Sequence, residues 1–509
     1  MTAIPIFSYP SNKIHLENSG WFLAGICLLY LSVAYASSGY NNADEHFQII
    51  EFANYKMGRT SASDLAWEFN AKIRPGLQPM ICWILMKLAL WAGWNDPYGF
   101  AFFLRALTAA VSVLIIRFFI RSYIHAVEVK NRNIFIVISY LLWFLPYINV
   151  RFSSESWSGL FFLLSLAIVQ RDGRENKTKM PYIFGGVAGI SILFRYQSAI
   201  LVSGLFLWIF FIRGRDILLP LKAGLAVLAV LLGGLFIDYW LYNGYFFTLY
   251  NYFHVNLVEN VASQYGISPW YQIIFYIVFS PGPIGILLFA ALVILAFKKP
   301  DEPILWAVIP FLVVHAIIPH KELRFLFPLA NLVPIILILF LQQVGNFTGF
   351  FKKVIWPMIM VLLIVSNIMG IISIATRGAG NGKIAITQFI YRKYKNENII
   401  LNCVEGLNPY SDWAFPKDRF YEHSKVEISE ISTIWKPALL KNKIGYKNLL
   451  LISKDEITGP RTIEMLRKKN YSLVFQNTSG FIQIINMFYD PKLNDNVLFL
   501  YELKLPDKN

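Results

Sequence analysis

Cysteine is rare in this chain: Cys27, Cys82 and Cys403 are the only three in 509 residues. They stand far apart without metal-ligand spacing, which excludes a disulfide framework and a cysteine-ligated zinc site. Cys27 and Cys82 fall in apolar stretches, where a free thiol behaves as a small hydrophobe. Charge is also scarce. Asp, Glu, Lys and Arg make up 15% of the chain, against about a quarter in an ordinary soluble domain. Acid is the scarcer sign, with 31 Asp and Glu against 46 Lys and Arg and a formal net charge of +15. There is no glycine-rich nucleotide loop, GxSxG elbow, HExxH pair or Walker sequence, so nucleotide cradling, serine-hydrolase and zincin chemistry have no motif to rest on. No internal repeat or low-complexity segment is present either.

What fills the chain is apolar. It is 56% hydrophobic and 16% aromatic, with a mean hydropathy of +0.49, and its apolar residues come in long blocks. A helix needs about 20 apolar residues to cross the hydrocarbon core. Eleven blocks answer to that, at about 20–38, 100–121, 133–150, 155–170, 181–197, 198–212, 222–242, 270–297, 303–319, 324–343 and 354–375. The fold class expected is a polytopic α-helical membrane protein. Its first block, Trp21 to Ser37, lacks a basic n-region and a small-residue cleavage site, and reads as an uncleaved span.

The positive charge falls in short loops between these blocks, the pattern of the positive-inside bias and not of a nucleic-acid module. Arg117/Arg121/Lys130/Arg132, Arg171/Arg174/Lys177/Lys179, Arg213/Arg215/Lys222, Lys298/Lys299 and Lys352/Lys353 are separated by two spans each time, so all five fall on one side. The apolar stretch Leu77 to Trp94 would break that alternation if it crossed. Its Trp83, Trp91 and Trp94 suit a re-entrant or interfacial helix. With a cytoplasmic N-terminus, residues 39–99, 243–269, 376–509 and the junction at His320 share the outer face. From Thr376 the composition changes to short strand-like runs, at 399–401, 449–452 and 497–500, alternating with charged helical stretches such as 461–469. A transmembrane domain at 1–375, with a first outer loop at 39–99, is expected to precede a soluble α/β domain at 376–509.

Two charged clusters at the membrane boundary carry the chemistry. Asn41-Asn42-Ala43-Asp44-Glu45-His46-Phe47-Gln48 places two carboxylates directly after the first span, where acids are expensive to keep. Asn42 as a helix cap with acids in the first turn would explain them structurally. Alternatively one is a general base that takes the proton of a sugar hydroxyl, with burial near lipid expected to raise its pKa. The second cluster is His320-Lys321-Glu322-Leu323-Arg324. His320 and Arg324 are four apart and would share a helix face, where cations can neutralise charge on a leaving phosphate or snorkel to headgroups. Between them, Trp67-Glu68 and Arg74 combine an aromatic face for a sugar with a bidentate fork for phosphate, though interfacial anchoring would use the same Trp. Arg195 lies at an outer helix end. The loop Tyr265-Gly266-Ile267-Ser268-Pro269-Trp270 is aromatic and polar, and a plain connector would look alike.

At these residues the chain resembles the lipid-phosphate-mannose-dependent α-mannosyltransferases of glycosyltransferase family 22, in the GT-C superfamily. The family's Pro-Asp-Glu-aromatic signature is matched by Ala43-Asp44-Glu45-His46-Phe47-Gln48, without the proline. Its Trp-Glu and Ile-Arg signature is matched by Trp67-Glu68-Phe69 and Ile73-Arg74-Pro75. Its Arg-Pro-Thr motif is echoed by Arg195-Tyr196-Gln197, its Tyr-Gly-Thr-His-Pro-Trp loop by residues 265–270, and its His-Lys-Glu-x-Arg-Phe-x-x-Pro motif is complete from His320 to Pro328. The resemblance covers roughly residues 20–345 with motif order preserved. It implies a GT-C fold and inverting transfer of mannose from a polyprenyl- or dolichyl-phosphate donor to a glycolipid or glycan acceptor, among membrane lipids and without a metal or cofactor. Asp44 is then the base, with Glu45 second. His320, Lys321 and Arg324 grip the donor phosphate, aided by Arg74 or Arg195, and Glu68, Trp67, His46, Gln48, Tyr265 and Trp270 line the substrate site. Transfer of another lipid-phosphate sugar, an aminosugar or a pentose, is the alternative within enzymes. A lipid or polysaccharide transporter is the alternative outside them, disfavoured by the lack of repeated halves. Compact loops lean toward a bacterial plasma membrane, with the ER membrane as the other compartment.

Overall fold

The computed structural model describes residues 16–504, apart from 17, 172–178, 215–216, 345–350, 377, 381, 412–415, 435–439, 458–459 and 490–493. Arg174, Lys177 and Arg215 of the basic loops lie outside the described residues. Helices occupy every apolar block, and the protein is an integral, multi-pass membrane protein.

The blocks differ in reach. Pro97–Ala126, Leu218–Tyr242, Leu323–Val344 and Lys353–Thr376 are long and apolar enough to cross, and Pro283–Lys298 with Pro303–Ile317 forms a further pair bent by 119°. Gly20–Ala36, Met180–Phe194 and Ser198–Gly214 are shorter. Two blocks expected to be continuous are broken: 133–150 into Arg132–Leu141 and Phe144–Ile148, and 270–297 into Gln272–Phe279 and Pro283–Lys298. The second break falls at Ser280-Pro281-Gly282-Pro283, since proline has no amide to donate and clashes with the preceding turn. Among the described residues length and composition mark four crossings, or five with the bent pair, and the remaining blocks of the expected eleven fall short of that measure.

Helix α1, Gly20–Ala36, leads into a loop of short helices: α2, Ala43–Phe47; α3, Ile50–Lys56; α4, Trp67–Ala71; and α5, Leu77–Trp91. The loop ends at α6, Pro97–Tyr123, which opens with Asp96 as cap and Pro97 at its first position. With 15 residues, α5 is too short to span. It buries Cys82 and Met86 against Ile50 and Ala53 of α3 and leaves Leu88 and Trp91 exposed, the amphipathic pattern of a helix lying at the surface.

The tail folds into a five-stranded sheet in the order β2-β1-β3-β5-β4. Its strands are β1 Ile399–Val404, β2 Val426–Ile431, β3 Lys447–Ser453, β4 Tyr471–Gln476 and β5 Leu498–Leu503. β1 pairs in parallel with β2 and β3, while β5 runs antiparallel to β3 and β4. Successive side chains of a strand point to opposite faces, and both faces of β3 are covered. Leu449 and Leu451 pack with Ile386 and Ile390 of the helix Lys383–Lys393, whereas Leu450 and Ile452 pack with Leu466 and Tyr471. Central burial on both sides explains the unbroken run Leu449-Leu450-Leu451-Ile452.

One glycine fixes a contact that the site depends on. A Cβ on Gly159 would lie 2.6 Å from Pro328 Cα, so only glycine lets the helix Ser154–Arg171 seat against the 3-10 turn Leu323–Leu332. That contact brings Glu155 beside Arg324.

Candidate active site

Helix α2 has five residues, capped by Asn42, whose Oδ1 accepts from the Asp44 amide at 3.0 Å. Consecutive side chains on a helix diverge by about 100°, so Asp44, Glu45 and His46 leave α2 in three directions. Asp44 Oδ2 meets Arg324 Nη1 at 2.6 Å and Arg74 Nη2 at 3.4 Å. Glu45 turns inward, taking Arg151 Nε at 2.6 Å and Nη2 at 2.9 Å and the Asn41 amide at 2.6 Å. His46 faces Asp418 and Glu51. Gln48 caps the helix end and donates to Glu68 Oε1 at 2.7 Å.

Arg74 bridges Asp44 to Glu68 Oε1, the latter at 3.5 Å. Its position is set from behind: the Tyr242 hydroxyl donates to its carbonyl at 2.8 Å, and the Gly76 amide donates to Asp238 at 2.7 Å. Arg324 is held by Glu322 through two bonds of 2.7 and 2.8 Å. Glu155 lies 3.5 Å from Arg324 and accepts from Arg195 Nη1 at 2.8 Å. Acids and cations from widely separated stretches of the chain thus interleave in one network of Asp44, Glu68, Glu155 and Glu322 with Arg74, Arg195 and Arg324.

The electrostatics reverse one expectation. Burial alone would raise Asp44, but the guanidinium groups of Arg324 and Arg74 outweigh it and hold the carboxyl below its ordinary range. Glu68 moves the other way, pushed up by burial and, against the pull of Arg74, by the charge on Asp44. Two neighbouring carboxyls are thus driven in opposite directions by their surroundings.

Asp44, Gln48, Arg74, Gln78, Arg195 and Tyr252 line one small polar cavity. Arg74 Nε and both ends of the Gln78 amide are buried there without a hydrogen-bond partner among the described residues, so the cavity presents unmet donors and an acceptor. A separate cavity of about 490 Å³ runs between the membrane helices, walled by apolar side chains such as Tyr147, Tyr276, Leu323 and Phe327. Asn41 and Phe327 border both this cavity and the pocket containing Arg324 and Glu155. Trp67 stacks on Tyr265 at 6.2 Å, and Tyr265 meets His320 edge-on at 6.3 Å, which joins three separate sequence motifs.

Several residues expected in the site are engaged elsewhere. Lys321 is 5% exposed and donates its ammonium to the carbonyls of Ile318 at 2.6 Å and Ser268 at 2.9 Å, tying two loops together. His320 lies between the Gly266 carbonyl and Glu322, each at 3.0 Å. Residues 318–322 are not helical, so His320 and Arg324 share no helix face. Trp270 is exposed against Tyr271. Glu45 is locked to Arg151, and His46 is buried away from the Asp44 cavity. Residues that sequence reading passed over include Glu155, Arg151, Asp238 and Gln78. An isolated charge at the start of an apolar helix was the available signal for Glu155. Asp418 had none, because its partner stands 372 residues away. His46, Glu51 and Asp418 also form the one group among the described residues with metal-ligand atoms mutually within 4.8 Å.

The model of the Alg9-like mannosyltransferase family matches residues 21–400. GPI mannosyltransferase 3 of Candida albicans is 27% identical over 308 residues, 60% of this chain and 61% of that protein. GPI mannosyltransferase 3 of Trypanosoma brucei brucei is 28% identical over 214 residues, 36% of this chain and 34% of that protein. The match therefore spans about three-fifths of the length of the Candida relative. Among solved structures, ArnT from Cupriavidus metallidurans bound to undecaprenyl phosphate aligns over 95% of this chain and 98% of that one, with 11% identity and a TM-score of 0.46.

Proposed function

The chain belongs to the Alg9-like mannosyltransferase family, and from that premise we propose that it transfers mannose from a polyprenyl- or dolichyl-phosphate donor to a hydroxyl of a glycolipid or glycan. The observation that carries this reading is the position of Asp44, which lines a small cavity with Arg74 and Arg195 and pairs at 2.6 Å with Arg324, itself in a pocket that shares Asn41 and Phe327 with the apolar cavity between membrane helices. Such a pairing of cavities suits a substrate with a charged, hydroxyl-rich head and a long apolar chain. The site lies on the outer side of the membrane, with the domain at 376–509 on the same side. The eukaryotic origin of the relatives lends no support to a bacterial plasma membrane.

In this mechanism the donor phosphate displaces Asp44 from Arg324 and engages Arg324, with Arg74 Nε as a further donor. Losing that cation raises the Asp44 pKa and makes it a stronger base when the substrate is in place. Asp44 takes the proton of the acceptor hydroxyl as its oxygen forms a bond to C1 of the sugar. The C1–O bond to phosphate breaks with its electron pair, and the lipid phosphate leaves stabilised by the guanidinium groups. One displacement converts a β-linked donor into an α-mannoside.

The test is transfer of radiolabelled mannose from synthetic polyprenyl-phosphate mannose in purified membranes, wild type beside Asp44→Asn, with lipid and protein fractions counted. Incorporation that depends on Asp44 supports donor class and base together. Equal incorporation by both removes Asp44 as base, and no incorporation by a well-folded wild type redirects the reading to another lipid-phosphate sugar.

A further inference from the structure

The tail and the first outer loop meet around His46, a side chain that the transfer chemistry above does not use. Its imidazole is 1% exposed. Nε2 lies 3.1 Å from Asp418 Oδ1 and 3.3 Å from Glu51 Oε1, and the ring is stacked between Tyr40 at 5.0 Å and Tyr421 at 5.4 Å. The same carboxylates grip the tail backbone. Glu51 Oε1 accepts the amides of Arg419 at 2.8 Å and Phe420 at 2.7 Å, and Asp418 Oδ1 accepts that of Tyr421 at 3.2 Å. A second strap lies alongside, where Arg419 donates to Asp64 Oδ2 from Nε at 3.1 Å and Nη2 at 3.0 Å. Across the small cavity beside the ring stand Glu45, Arg105 and Arg151.

Two buried carboxylates converging on one ring nitrogen need a positive partner, because an uncompensated buried charge is strongly unfavourable. A protonated imidazole supplies it. Burial works against that proton, but Asp418 and Glu51 outweigh burial and push His46 up to about 10. A five-residue helix has too few hydrogen bonds of its own to fix its direction. The orientation of α2, and with it of Asp44, is set by its anchors: Glu45 on Arg151 from the membrane helices, and His46 on Asp418 from the tail.

We propose that the tail is a working part of the transfer site, with Asp418 a positioning residue that holds helix α2, through its contact with His46, so that Asp44 meets Arg324. The role given to Asp44 rests on the reading above; the His46 bridge does not.

The experiment uses the full-length protein in lipid nanodiscs with 13C,15N-histidine. The chain has seven histidines, and His46 is assigned by difference with H46Q. Expected is an imidazolium signature for His46 from about pH 6 to about pH 8.5, lost in D418N. In transfer assays D418N should lose up to about a hundredfold in kcat, the scale set by small misplacements of a reacting group, while donor KM stays within about twofold. Its acid limb in kcat/KM should also move to higher pH as Asp44 slips from Arg324. D418E should recover part of kcat, and H46Q/D418N should be no worse than either single variant. A neutral His46 at pH 7 in wild type, or a stoichiometric metal found by elemental analysis and bound through these three residues, overturns the proposal. So does wild-type kcat in a D418N protein whose imidazolium signal is gone. If D418N fails to accumulate, the wild-type spectrum and H46Q kinetics decide in its place. Full transfer by Asp44→Asn with the imidazolium present would sink the base assignment and leave the bridge standing.

Discussion

Replacing Arg324 with glutamine probes the centre of the network. The guanidinium touches Asp44 at 2.6 Å, Glu322 at 2.7 and 2.8 Å, and Glu155 at 3.5 Å. R324Q leaves three carboxylates facing one another without their shared cation. A hydrogen bond to a charged group contributes about 1.5–3 kcal/mol. Losing one such bond to the donor phosphate lowers kcat/KM by roughly 10- to 150-fold, at about 1.4 kcal/mol per factor of ten. The pH profile adds a signed test. In wild type the Asp44 pKa is depressed, against burial, chiefly by Arg324, so the carboxylate stays ionised as pH falls below its ordinary value. Any stability from this pairing is present above the unfolded pKa and lost as pH falls through the folded one. Removing the cation raises the pKa, so the acid limb of kcat/KM for R324Q must move to higher pH. The assay is donor-saturation kinetics in membranes from acid to neutral pH, with expression normalised. An acid limb that stays put or moves down, or an unchanged donor KM, would refute the pairing as the control on Asp44.

Glu45→Gln should behave differently from Asp44→Asn: breaking the buried Glu45–Arg151 pair costs about 3–5 kcal/mol, read as loss of folded protein by detergent-solubilised melting. Correctly folded E45Q with no transfer would instead point to Glu45 as the base. Gly159→Ala forces a Cβ to within 2.6 Å of Pro328 Cα, and overpacking of that kind costs about 1–3 kcal/mol; an unchanged melting temperature would show that the two segments can separate freely. For His46 the sign is opposite to that of Asp44. Its raised pKa gives stability fully present below the unfolded value of about 6.5 and lost as pH rises through the folded value of about 10. The wild-type melting temperature should therefore fall relative to H46Q across that window, and parallel curves would contradict it.

Much of the helical framework was legible in the chain, because burial in lipid demands long apolar blocks. The runs at 399–401, 449–452 and 497–500 showed three of the five strands of the tail by the same logic, a strand covered on both faces being apolar throughout. What hydropathy did not convey was length. The breaks at Leu142–Trp143 and Ser280–Gly282 divide single blocks into two helices each, and composition averages over a break. The charged clusters were visible for the same reason as the helices, since ionisable residues beside lipid stand out against an apolar background.

The division of labour within those clusters belonged to the tertiary structure. Asp44, Glu45 and His46 are consecutive ionisable residues in the chain, yet one faces a small cavity, one is locked to Arg151 106 residues away, and one is bridged to Asp418 372 residues away. Lys321 and Arg324 are both cations of one motif, but the first is used up on carbonyls and the second pairs with Asp44. By itself the sequence determined that a helical membrane protein would carry acids and cations at its boundary, because solvation energy is a property of residue type. Which of them act together was decided only by folding, because ion pairing and hydrogen bonding depend on distance and direction between groups that the chain order does not relate.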